Sequence, residues 1–81
     1  DPGEVPPYDQ GLFDMLRQWR RCRAEEKGVP AYVIVTDATL RNLAAQKPMS
    51  PDSLLQTPGI GPKKLADFGQ EIIEEIARYA S

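Results

Sequence analysis

The stretch PGIGPKK, residues 58–64, joins two glycines, two prolines and two lysines in a turn that opens a helix. Gly59 and Gly61 can take positive φ, so the chain can reverse sharply there. Ile60 between them can plug the corner into a core. Beyond it, the first helical turn leaves amide N–H groups unpaired, and the helix dipole favours an anion at that end. Lys63 and Lys64 add positive charge at the same place. Pro62, having no N–H, removes one donor. Two readings follow: a cradle for a nucleic-acid phosphate, or an architectural corner whose lysines are solvated.

Other chemistry is sparse. The chain has no histidine and a single cysteine, Cys22, so neither a disulfide nor a Cys/His metal site is expected, and no cofactor. The acid pairs Glu25–Glu26 and Glu74–Glu75 are sequence neighbours whose side chains diverge around a helix, which suits a solvated face and not a catalytic dyad. An enzyme is therefore not expected. One unpaired thiol fits a reducing compartment, the cytoplasm or nucleus. No apolar run reaches the roughly 20 residues of a membrane span. The formal charge of −2 is unevenly spread: −3 over residues 1–9, +4 over residues 10–64 and −3 over residues 65–81. Arg17, Arg20 and Arg21 supply part of the basic middle, as a solvated face or a phosphate track.

With 81 residues, one domain is expected. Prolines at 2, 6 and 7 mark residues 1–8 as an extended linker, leaving residues 9–81 as the folded unit. Asp9 can cap a helix through QGLFDMLRQWRRCRAEEKG that Gly28 and Pro30 stop. Leu12, Met15, Leu16, Trp19 and Cys22 form its apolar stripe, with Arg17 and Arg21 opposite and Arg20 at the margin. PAYVIV finds no second strand to pair with and is read as a buried turn or irregular helix. Thr36 caps the next helix, whose Leu40, Leu43 and Ala44 face inward. Ser50 caps another, with Pro51 at its first position and Leu54 and Leu55 buried. The last begins at Pro62 and carries Leu65, Phe68, Ile72, Ile76 and Tyr79 on one face, with Gly69 a candidate kink. The fold class is all-α: a compact bundle of four to five short helices.

The segments LRQWR, VPAYVIVTDATL, AAQKPMS and LLQTPGIGPKKLADFG, in this order from Leu12 to Ile73, resemble the HRDC domain (helicase and RNase D C-terminal domain). The resemblance implies a helical bundle related to helix-hairpin-helix modules. It also implies an auxiliary, non-catalytic role beside a helicase or nuclease, with a RecQ-type DNA helicase the first choice of parent and ribonuclease D an alternative with an RNA-processing role. In DNA-binding members, contacts to single-stranded DNA gather at the tyrosine of the P-x-Y segment and the basic residues after the hairpin glycines, which here are Tyr32, Lys63 and Lys64. An aromatic ring is a sequence-tolerant platform for a base, and lysines follow the backbone.

The last helix carries a second expectation. Asp67, Glu71 and Glu74 lie opposite Leu65, Ile72 and Ile76 and are read as one exposed acidic strip. Such a strip repels phosphate and suits a basic surface, such as the catalytic body of a parent helicase. The expected partners are thus weakly held single-stranded DNA and that catalytic body, with the isolated domain monomeric.

Overall fold

The computed structural model describes residues 7–80, which form five helices and, among those residues, no strand. They are α1 (Gln10–Lys27), α2 (Ala31–Ile34), α3 (Asp37–Gln46), α4 (Pro51–Leu55) and α5 (Pro62–Ala80). Most of the expected linker, residues 1–6, lies outside the described residues. Tyr8 is half-buried, with its ring centroid 5.2 Å from that of Phe13.

Local chemistry places the helix starts. The Asp9 carboxylate accepts the Leu12 N–H, Thr36 Oγ1 accepts the Thr39 N–H and Ser50 Oγ accepts the Ser53 N–H, each meeting a donor that the first turn cannot. Gly28 closes α1 in the left-handed region at φ 67°, its N–H returning to the last turn. PAYVIV becomes the single turn of α2 followed by extended Val35, which buries Ile34 and Val35 and leaves Tyr32 and Val33 outside.

The core gathers the expected residues. Leu16, Trp19, Leu40, Leu43, Leu54, Ile60, Phe68, Ile72 and Ile76 are all buried, and Leu65 packs partly buried against them. On α1 the buried face differs from the expected stripe: Phe13, Arg20 and Ala24 are buried, Met15 is half-buried and Cys22 is exposed. The reason is that α1 packs against α2, α3 and α5, so its covered face widens toward α2 and α3 and leaves the Met15–Cys22 edge at the outer seam with α5. Leu55 is likewise exposed, because the short α4 turns only Leu54 inward. Gly69 does not interrupt α5; it is buried where a Cβ would collide with the Leu65 side chain one turn earlier in the same helix, with Leu54 of α4 at ordinary contact distance.

Asp9 also ties the chain ends together. Besides capping α1, its carboxylate accepts the Tyr79 hydroxyl at 2.5 Å and pairs with Lys47 at 3.2 Å, while its N–H donates to the Ala44 carbonyl. The Tyr79 hydrogen bond, helped by the Leu12 N–H and by Lys47, holds the Asp9 carboxyl below its ordinary pKa.

Trp19→Ala lowers stability by about 3–5 kcal/mol in chemical denaturation, as loss of a large core aromatic does. Gly59, at φ 95°, faces Thr39 so closely that a Cβ would collide with its hydroxyl, whereas Gly61 has ordinary φ and open space around it. Gly59→Ala therefore costs about 1–3 kcal/mol, while Gly61→Ser, which supplies a capping hydroxyl to α5, is neutral or stabilising in thermal melts. Because the folded pKa of Asp9 is depressed, its contribution is present above the unfolded value of about 4 and is lost as pH falls through the folded value. Tyr79→Phe flattens the fall of Tm in that acid window. Because the same hydrogen bond raises the Tyr79 pKa, the substitution also removes the loss of stability that sets in as pH rises above the unfolded tyrosine value of about 10, and leaves the neutral range between them flat.

Candidate nucleic-acid interface

The turn of residues 57–61 is first of all a packed corner. Thr57 is buried and its hydroxyl donates to the Ser53 carbonyl. The Ile60 N–H returns to the Thr57 carbonyl at 3.0 Å, and its side chain is buried in the core. Gly59 alone of the two hairpin glycines uses positive φ. The Gly61 carbonyl accepts the Leu65 N–H, so α5 starts there, and Gly61 has no side chain with which to cap the first turn. The corner thus sets where α5 starts and places Lys63 and Lys64 in its first turn.

The tertiary structure brings α2 to this helix start. Lys64 Nζ donates to the Val33 carbonyl at 2.6 Å, across 31 residues of sequence. Tyr32, one residue before Val33, is 70% exposed, and Val33 beside it is also exposed. Lys63 projects into solvent with its side chain 90% exposed and its ammonium 3.5 Å from Asp67. Tyr32, Lys63 and Lys64 therefore lie at one end of the bundle. A further lysine joins them: Lys27, the last residue of α1, holds its ammonium 5.6 Å from the Phe68 ring centroid, and Lys64 Nζ lies 5.8 Å from the same ring. Sequence reasoning passes over Lys27 because its only local signal is a basic residue before a helix-stopping glycine.

The three arginines of α1 separate. Arg17 and Arg21 are exposed and line a depression that reaches Ala31, with Arg21 loosely paired to Glu25 at 3.5 Å. Arg20, expected at a phosphate-facing margin, is instead buried. Its Nη1 donates to the Val35 carbonyl at 3.0 Å and pairs with Asp37 at 2.7 Å. The Val35 carbonyl ends α2 and Asp37 begins α3, so the guanidinium bridges that junction and is unavailable to a nucleic acid.

The acidic strip is corrected as well. Glu71 turns into the α1–α5 seam, where it accepts the Trp19 indole N–H at 3.1 Å and pairs with Arg23. A buried indole N–H needs an acceptor, and Glu71 is the carboxylate within its reach. What remains on the surface is Asp67, paired to Lys63, and Glu74, which accepts from Gln70. Along the outer side of the seam runs a groove of ≈ 650 Å³ over Met15, Trp19 and Cys22. Among the described residues, no group of His, Cys, Asp or Glu is placed to hold a metal ion.

Residues 9–76 match the family model of the HRDC domain. The chain is 39% identical over 69 residues to the ATP-dependent DNA helicase RecQ of Bacillus subtilis, covering 85% of this chain and 12% of that protein. It is also 39% identical over 68 residues to the ATP-dependent DNA helicase UvrD2 of Mycobacterium tuberculosis, covering 84% of this chain and 10% of the relative. The chain thus spans roughly a tenth of the length of the curated relatives it matches. Among solved structures, HRDC domain 3 of D. radiodurans RecQ superposes with a TM-score of 0.84 at 36% identity, covering 86% of this chain and 92% of that one. A domain of this kind is a non-catalytic accessory module. With the five-helix bundle, the packed PGIGPKK corner and these matches in agreement over nearly the whole described length, the chain belongs to the HRDC domain family.

Proposed function

We propose that this domain is an auxiliary module of a RecQ-type DNA helicase in the cytoplasm, and that it holds single-stranded DNA weakly at the bundle end formed by α2 and the start of α5. The observation that carries the reading is Tyr32. Tyr32 is 70% exposed on a one-turn helix whose Val33 carbonyl Lys64 holds. An unused stacking surface therefore lies at the start of α5, where Lys63 is exposed and, among the described residues, paired only with Asp67 at 3.5 Å. Base–aromatic stacking tolerates any base, and a few lysine–phosphate contacts give modest, salt-sensitive affinity. The similarity to DNA helicases supports DNA over the RNA-processing alternative. Docking of α5 on the catalytic body of the parent draws less support, since Glu71 has left the acidic strip and Asp67 is engaged by Lys63.

The test is a salt titration of single-stranded DNA binding followed by fluorescence anisotropy. Tyr32→Ala weakens binding by about 1–3 kcal/mol with little sequence dependence. Lys63→Met reduces the slope of log K against log salt by about 0.7, the release expected from one phosphate contact on a single strand. Asp67→Asn strengthens binding severalfold at low salt, because it frees Lys63 from its neighbour. Tyr32→Ala and Lys63→Met variants that both bind like the unaltered chain would refute the placement of the site.

A further inference from the structure

We infer that the two lysines over Phe68 have divided roles: Lys64 is a positioning residue that fixes the Tyr32 platform, and Lys27 makes the phosphate contact that the family resemblance implies for Lys64. The inference rests on the stacking reading above and concerns which cation serves which part of it.

Helix α2 has four residues, with Pro30 before it and no side-chain cap. One turn of helix is not self-sustaining, since it fixes several dihedrals for few hydrogen bonds. What holds it is tertiary. Ile34 and Val35 are buried beneath it. Above them, two cations from different helices hold its last carbonyls: Arg20 of α1 on Val35 at 3.0 Å, and Lys64 of α5 on Val33 at 2.6 Å. Carbonyls at a helix C-terminus lack intrahelical partners and carry the negative end of its dipole, so both cations are well placed. Tyr32 sits within this clamp, one residue before the carbonyl that Lys64 holds. If Lys64 turned toward a phosphate, that bond would break and the peptide carrying the ring would lose its tether.

Lys27 is differently situated. Its ammonium lies over the same Phe68 ring at 5.6 Å, and no hydrogen bond or ion pair engages it among the described residues. It stands over the same ring as Lys64, with the Phe68 face and, among the described residues, no carboxylate or carbonyl holding its charge. A lysine held only by a ring face can turn to a phosphate without giving up a carboxylate or carbonyl partner, at the cost of a cation–π contact worth about 0.5–1 kcal/mol at an exposed site.

The experiment measures anisotropy with an oligothymidylate of about 16 nucleotides, the upper end of single-module site sizes, over a salt series. Met replacements keep the aliphatic stem on Phe68 and remove the ammonium. Lys27→Met lowers the salt slope by about 0.7. Lys64→Met leaves the slope unchanged yet weakens binding severalfold, and adds nothing further in a Tyr32→Ala background, since its effect passes through the ring. Lys64→Arg, which can still donate to the Val33 carbonyl, retains the affinity. The inference is overturned if Lys64→Met lowers the slope as Lys63→Met does, if it weakens the Tyr32→Ala variant as much as the unaltered chain, or if Lys27→Met leaves the slope unchanged. In all three cases Tyr32→Ala still weakens binding, so the stacking reading survives. A Tyr32→Ala variant that binds like the unaltered chain removes the platform itself, and the positioning role with it.

Discussion

In a chain this short only one helix can be central, and here it is α1, packed against α2, α3 and α5. Small domains bury a modest share of their surface, so a bundle of this size needs one element whose apolar face is almost wholly used. Leu12 and Leu16 are fully buried, with Phe13, Trp19 and Ala24 close behind. Three of the other helices, α2, α3 and α5, are laid out by what they must cover on α1, while α4 packs on α5. The long α5 runs along α1 with Phe68 edge-on to Trp19, α3 covers a second side, and α2 folds into a single turn to cap a third.

Covering so much of one helix draws its charged residues inward, and that determines which charges remain for a partner. Arg20 lies on the face that α2 and α3 cover, so its guanidinium is buried and answered by the Val35 carbonyl and Asp37. Burying a charge without such partners would be far too unfavourable. The Trp19 indole N–H makes the same demand and recruits Glu71, which Arg23 then balances. Two residues that look from their spacing like surface charges thus become parts of the frame.

The bundle end that remains open combines exposed Tyr32 and Val33 with Lys63, Lys27 and the start of α5. Its geometry comes from architecture and not from a dedicated ligand loop. The Gly59–Ile60 corner fixes where α5 begins, and the Lys64 bond to the Val33 carbonyl fixes α2 against it. The opening alternatives for PGIGPKK are therefore not exclusive, since the tight corner is what sets the lysines beside the tyrosine. Asp67 and Glu74 place negative charge on the exposed side of α5 beyond its first turn.

Features governed by near neighbours were legible in the sequence. The caps at Asp9, Thr36 and Ser50, the stop at Gly28, the helix start at Pro62 and most of the inward leucines and isoleucines follow from chemistry within one helical turn. The matched motifs carried the family for the same reason. The grouping of Tyr32 with Lys63 and Lys64 came from the resemblance, and the structure places them at one end. What the sequence could not decide was the fate of long polar side chains on the margins of helices. Arg20 meets a carbonyl 15 residues away, Lys64 one 31 residues away, and Glu71 an indole 52 residues away. At such margins helical periodicity is nearly indifferent between inside and outside. The choice falls to whichever distant donor or acceptor would otherwise be buried unpaired, and only the packed tertiary structure brings those groups together.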